Sequence, residues 1–289
     1  MTDALGPLLG RCCFPPPGTA VTCGVSGGPD SLALLALATT AGCLVTAVHV
    51  DHGLRTGSAG EAAVVAAAAA RFGAHFEARR AVVAAGPNLE ARARAARYAV
   101  LPRDVLTGHT ADDQAETVLL NLLRGAGLEG MSGMRADGRR PLLALRREET
   151  RALCTALDLT PVFDPSNDDP AFRRNRVRHE LLPLLDDIAA RDVVPLLARQ
   201  AALLGADAEL ISSLADALDP TDARALAAAP VSLARAAIRR WLRAGDELHP
   251  PDAATVERVL AVARLEARGT DIGDGRRVER HGGRLVLKA

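Results

Sequence analysis

Aromatic side chains are nearly absent from this 289-residue chain: phenylalanine, tryptophan and tyrosine together make up 2%. A core must therefore be filled by alanine, leucine and valine, within a hydrophobic fraction of 48% that suits a globular protein. Lysine is also scarce, Lys288 being the single example, so any phosphate contact must use arginine forks, backbone amides or a metal ion. Net charge is absent, with 35 basic and 35 acidic residues, and so no whole-chain field selects a partner. Cys12, Cys13, Cys23, Cys43 and Cys154 form an odd set with an adjacent pair and no C-x-x-C. That pattern argues against a disulfide framework or a zinc site. Long apolar runs are missing too: 32–50 is split by Thr39, Thr40 and Gly42 into a helix and a strand, too short for a membrane span. No basic segment followed by an apolar core and cleavage site opens the chain, so the expectation is a cytoplasmic protein without membrane association.

What is present alternates. Residues 19–25, 44–50 and 75–82 read as strands, with a further short strand at 104–107. Between and after them, helices are predicted from Pro29 or Asp30 to Thr40, and over 61–72, 90–98 and 110–123. Strands alternating with such helices imply βαβ units and a parallel sheet, whose ligands bind beyond the carboxyl ends of the strands. After Asp164 the pattern changes to a Pro/Asn/Asp loop and an arginine-rich helix start, then to helical spacing around 193–217, 231–243 and 253–266. The end reads as a hairpin turning at Gly282 and Gly283. The expected architecture is α/β: a parallel-sheet domain over 1–185 followed by a smaller, mostly helical domain over 186–289.

Polar motifs fall at those strand ends. "SGGPDS" follows the first strand and opens a helix: Ser26, Gly27, Gly28, Pro29, Asp30 and Ser31. Amides at a helix N-terminus, unobstructed by Cβ at two glycines, form an anion cradle, and Asp30 can hold magnesium. Neither the P-loop lysine nor a G-x-G-x-x-G pattern is present. "HVDHGLR" at 49–55 lacks a third clustered metal ligand and reads as a wall of the pocket, with His52 as a candidate binding residue. Glu90, Arg94 and Arg97 recur along one helix face, as do His109, Asp113 and Glu116 in "HTADDQAE". The second set, two carboxylates and an imidazole, suits a cation or a metal. Arg173, Arg174, Arg176 and Arg178 crowd one helix start, an electrostatic footprint suited to RNA phosphates on an otherwise neutral chain.

The cradle resembles the signature of the PP-loop ATP pyrophosphatases, an adenine nucleotide alpha hydrolase-like fold that cleaves ATP between its α and β phosphates. "VDHGLR", "NLEARARAARY", "TGHTADDQAETVLLNLLRG" and "DPSNDDPAFRRNRVRHELLPLL" together resemble the tRNA(Ile)-lysidine synthetases over about residues 20–185. The stretch between Tyr98 and Leu106 is short for that family, and longer members continue into a further C-terminal domain. The resemblance implies a ligase that adenylates the wobble cytidine of the CAU-anticodon isoleucine tRNA with ATP and magnesium. Free L-lysine then attacks C2 and gives lysidine. It further implies that Asp113 and Glu116 receive the lysine amino groups and Arg94 its carboxylate. Arg173, Arg174, Arg176 and Arg178 would contact tRNA, together with the helical C-terminal domain. His109 is a candidate base, with Asp113 or Glu116 as alternatives. A homodimer is one assembly consistent with this reading. Rival readings are a tRNA cytidine thiolase, which needs clustered cysteines, a non-catalytic ATP-binding module, and an amidating synthetase acting on a small molecule.

Overall fold

The computed structural model describes residues 5–51, 53, 58–83, 86, 89–163, 168–243 and 251–288. The chain divides into two compact units, residues 1–124 with 133–201, and residues 125–132 with 202–289. In the first unit, α1 (Gly6–Leu9) precedes β1 (Ala20–Gly24), α2 (Pro29–Thr40), β2 (Leu44–Asp51), α3 (Ser58–Phe72) and β3 (His75–Arg80). The strands β1, β2 and β3 lie side by side in that order, all parallel, with Cys23 opposite Ala47 and Ala47 opposite Phe76.

The helix α2 explains how so few aromatics suffice. Every side chain from Ser31 to Ala38 is buried, and Leu32, Leu34, Leu35 and Leu37 are wholly enclosed. A helix apolar all round belongs in the interior, and small alanines let its neighbours approach closely. Each enclosed leucine contributes up to about 1.5–3 kcal/mol. The polar first turn of this helix is thus fixed by an apolar body that has nowhere else to go.

The chain continues through α4 (Leu89–Ala99), α5 (Ala111–Leu123), α6 (Leu128–Met131) and α7 (Arg147–Ala156), the last of which packs on α2. The strand expected at 104–107 is reduced to one parallel bridge, Leu106 against Cys23. Its neighbours bond elsewhere: the Val105 amide donates back to Pro102 O at 3.2 Å, and the Thr107 amide donates to Arg139 O at 2.8 Å. Leu106 still occupies the outer flank of β1, so residues 107–113 leave the sheet at the same carboxyl edge as the cradle. Beyond it come α8 (Arg173–Arg176), a π-helical turn at Val177–Leu181, α9 (Leu182–Ala189) and α10 (Val194–Ala215).

The second unit holds α11 (Ala223–Ala228), α12 (Val231–Leu242) and α13 (Ala253–Ala263), then an antiparallel sheet β4 (Gly269–Gly273), β5 (Arg276–His281) and β6 (Arg284–Lys288). Its core of Ile238, Leu242, Val256, Val259, Leu260, Val278 and Leu285 is separate from that of the first unit. Gly282 and Gly283 carry φ of 55° and 86°, which a two-residue turn matched to strand twist requires. Residues 125–132, just after α5, belong to this unit, where the Glu129 carboxylate accepts from Arg243 Nη2 at 3.1 Å. No helix among the described residues is long and apolar enough to cross a membrane.

Candidate active site

The cradle begins where β1 ends. Gly27 takes φ of +89° and a Cβ there would meet Val162 Cγ2 at 3.0 Å, so both conformation and packing demand glycine. At Gly28 a Cβ would meet only Ser26 Oγ, at 3.6 Å. The protein's own packing therefore does not require glycine at that position. Ser31 Oγ donates to Gly28 O at 2.8 Å and accepts from the Ser26 amide at 3.2 Å, tying the two ends of the turn together. Pro29 opens α2. Beneath the turn, the buried His49 ring lies with Nδ1 3.0 Å from Val25 O.

Asp30 lies in the first turn of α2. Burial pushes its carboxyl up to about 6, against a hydrogen bond from Thr150 Oγ1 that favours the charged form. Its other oxygen is 3.7 Å from Arg147 Nε. Gly108 packs directly on this residue: a Cβ there would stand 2.6 Å from Asp30 O. The glycine is therefore required by the close approach of two backbones.

The carboxylates of α5 are held by arginines. Asp113 Oδ2 accepts from the Thr110 amide at 2.9 Å, fixing the helix start, while Oδ1 accepts from Arg147 Nη2 at 2.9 Å. Glu116 is wholly buried. Its oxygens accept from Arg147 Nη1 at 3.0 Å, Arg174 Nε at 2.6 Å, and Arg178 Nε at 2.7 Å and Nη2 at 3.3 Å. Arg174 also reaches Asp113, with Nη2 3.4 Å from Oδ1 and 3.2 Å from the backbone carbonyl. Burial alone would raise the Asp113 carboxyl, but Arg147 and Arg174 outweigh it and hold the group below the usual range. Burial likewise opposes the charge on Arg147, and Asp113, Glu116 and Asp30 more than offset that, keeping it firmly protonated. Asp112, on the same turn, pairs with Arg146 at 3.1 Å and accepts from the Arg147 amide at 2.7 Å.

His109 Nδ1 is 2.8 Å from Thr107 Oγ1, which is 3.2 Å from Arg139 O. One assignment satisfies both contacts: Nδ1–H donates to the hydroxyl, and the hydroxyl donates to the carbonyl.

The structure thus brings Asp30, Asp113 and Glu116 together around Arg147, with His109 beside them. His52 lies outside the described residues, as does the side chain of Arg94, whose backbone belongs to α4. The four arginines expected to face RNA divide. Arg173 and Arg176 are exposed, Arg176 paired with Glu180 at 2.8 Å, while Arg174 and Arg178 turn inward onto Glu116. Their spacing of four residues puts them on one helix face, and the buried carboxylate decides which way that face points. Arg147 and Thr150 are the residues that sequence reasoning missed. "RREET" reads as an ordinary charged helix start, and only the packing of α7 on α2 brings it to Asp30.

All five cysteines are free, and three are buried. Burial pushes the thiols of Cys12 and Cys23 up to about 12 and that of Cys154 up to about 11, the reverse of what a nucleophilic thiolate needs. Among the described residues no three His, Cys, Asp or Glu side chains are grouped to hold a metal.

Residues 9–185 match the PP-loop domain family. Among known proteins, the chain is similar to the tRNA(Ile)-lysidine synthase of Rhodococcus erythropolis, 44% identical over 79% of this chain and 75% of that protein. It is similar to that of Nocardia farcinica, 45% identical over 83% and 80%. The same holds for Thermobifida fusca, 40% identical over 95% and 93%. Among solved structures, it resembles the U34-tRNA thiolase NcsA from Methanococcus maripaludis with its 4Fe-4S cluster. The TM-score is 0.55 at 18% identity, over 70% of this chain and 77% of that one, a likeness of fold alone.

Proposed function

The chain belongs to the tRNA(Ile)-lysidine synthase family, and on that premise we propose how its residues divide the work of making lysidine on tRNA(Ile) at the expense of ATP. In this reading the C2 oxygen of the wobble cytidine, in a CAU anticodon, attacks the α-phosphorus of ATP and releases pyrophosphate. The ε-amine of free lysine then attacks C2 and expels AMP, so that AUG reading becomes AUA reading. One observation carries the assignment: Thr150 and Arg147 of α7 join Asp30, at the cradle, to Asp113 and Glu116 in a single hydrogen-bonded and ion-paired network. The nucleotide end and the acidic end of the site are thereby one structure.

Ser26, Gly27, Gly28, Pro29, Asp30 and Ser31 form the ATP site, with His52 as its further wall. Amides freed of Cβ receive the phosphates, the Ser26 hydroxyl adds a donor, and Ser31 holds the turn in shape through Gly28 O and the Ser26 amide. Magnesium suits Asp30, because this ion is commonly held by one or two carboxylates together with substrate phosphates. Bound there, it would neutralise charge developing on the departing pyrophosphate. Asp113 and Glu116 receive the lysine amino groups and Arg94 the carboxylate. His109 is assigned as the base that accepts the proton the amine must lose before it attacks, with Asp113 or Glu116 as alternatives.

Residues 1–185 act as the catalytic domain and 186–289 as the helical tRNA-binding domain, a division of labour distinct from the compact units, which part at 201/202. The exposed Arg173 and Arg176 offer guanidinium forks to tRNA phosphates; Arg174 and Arg178, expected on the same surface, are engaged with Glu116 in the protein without tRNA. Homodimeric assembly and a cytoplasmic location complete the proposal. The thiolase alternative fits less well, since the raised thiols of Cys12, Cys23 and Cys154 disfavour thiolate chemistry.

The test combines purified protein, ATP, magnesium, labelled lysine and a CAU-anticodon isoleucine tRNA transcript. Label should enter the tRNA with one pyrophosphate released per lysine. Pyrophosphate released without RNA, and no label in the tRNA, would overturn the reading.

A further inference from the structure

The acids of the pocket are already paired without a substrate. Asp30, Asp113 and Glu116 face Arg147, Arg174 and Arg178, one guanidinium for each carboxylate, while Asp112 pairs with Arg146 on the same turn and Arg151 adds positive potential at Asp30. An ammonium group entering this set unchanged would leave one uncompensated positive charge in a desolvated place, which is strongly unfavourable. One resident cation must therefore leave when lysine arrives.

The three arginines are not equally able to go. Arg147 is 12% exposed and bonded on every side, to Asp113, Glu116 and Asp30. Arg178 is bound to Glu116 through two nitrogens and stands 4.0 Å from Asp113. Arg174 is the most exposed, at 26%, and spans Asp113 and Glu116, the two carboxylates assigned to lysine. It is carried on the four-residue α8, followed at once by the π-helical turn. Arg173 and Arg176, its exposed neighbours on that helix, already present guanidinium groups to solvent.

We propose that Arg174 is a placeholder cation: it occupies the lysine-ammonium position in the free protein and vacates it by moving its guanidinium onto a tRNA backbone phosphate. The inference rests on the assignment of Asp113 and Glu116 to lysine. The exchange keeps every charge paired, because the ammonium replaces the guanidinium at the carboxylates and the phosphate replaces the carboxylates at the guanidinium. Lysine and tRNA then assist each other's binding, and the coupling is reciprocal. A protein without bound tRNA would hold lysine weakly, which limits amine attack on ATP before the proper acceptor is present.

Equilibrium dialysis of labelled lysine, without ATP so that no chemistry occurs, tests this on the full chain with and without the tRNA transcript. For the parent protein, tRNA should tighten lysine binding by roughly 5- to 100-fold, the ordinary range of coupling between sites. Arg174→Gln should bind lysine more tightly than the parent when tRNA is absent and show no further gain when it is added, while its KM for tRNA rises. A merely structural arginine would weaken lysine binding instead, so the sign decides. Arg174→Lys, which keeps a cation, should retain the coupling. Lysine affinity in the parent that is the same with and without tRNA would overturn the proposal even if the Gln variant fails to fold. So would a folded Gln variant that binds lysine no more tightly. Parent protein that binds no lysine under either condition would instead sink the lysine-ligase reading itself.

Discussion

Replacing Glu116 by glutamine removes one charge and changes almost no volume, and the structure says the change is severe. The wholly buried Glu116 carboxylate accepts four hydrogen bonds from three guanidinium groups, at 2.6 to 3.3 Å. A glutamine retains one accepting oxygen but turns an NH2 toward donors on the other side. Arg147, Arg174 and Arg178 would then share the charge of Asp113 alone, apart from the more distant Asp30. Removing one partner from a buried ion pair costs about 3–5 kcal/mol. In a unit of roughly 190 residues each 1 kcal/mol lowers the melting temperature by about 2–4 °C, so a fall on the order of 10 °C is expected. Differential scanning calorimetry or thermal circular dichroism reads it directly. The shift should survive an increase in salt, because buried pairs are little screened. A melting temperature within about 2 °C of the parent would refute the claim that Glu116 organises the three arginines. It would leave the residue as a ligand for substrate only.

Asp30 gives the opposite sign. Burial raises its folded carboxyl from 3.8 to about 6, so between those values the folded chain holds a proton that the unfolded chain has lost. Stability therefore falls as pH rises through that window, by up to about 3 kcal/mol for this one group. Asp30→Asn should remove that fall and be more stable than the parent at pH 7 to 8, yet lose pyrophosphate release. Equal or lower stability of the variant in urea titrations at pH 7.5 would count against the raised value. Gly108→Ala should be expressed poorly or melt well below the parent, since its methyl meets Asp30 O at 2.6 Å. Unchanged thermal unfolding of that variant would show that the two backbones can separate without cost.

Much of this was legible in residue order. Glycine at 27, a β-branched run before it and an apolar helix after it specify a strand, a tight turn and a buried helix, because these follow from local sterics and periodicity. Asp113 and Glu116 were legible for the same reason, three residues apart on one face of α5, whereas His109, expected on that face, precedes the helix, whose N-cap is Thr110. Low aromatic content specified an Ala/Leu/Val core, and α2 is packed on that basis. The strand expected at 104–107 is a single bridge, because local propensity does not reveal that the Thr107 amide finds Arg139 O across the chain.

Charge direction was not legible. Nothing in "RREET" or "RRNRVR" says whether an arginine faces solvent or a carboxylate 31 to 62 residues away in sequence. An exposed arginine and a buried one have the same local helix propensity, and the difference is settled by which unpaired charge the fold has enclosed. Sequence alone determined the glycine turn between β1 and α2 and the presence of an acidic helix face. Only the tertiary structure, by burying Glu116 and packing α7 against α2, decided that the acids are already paired and that Arg147 links them to Asp30.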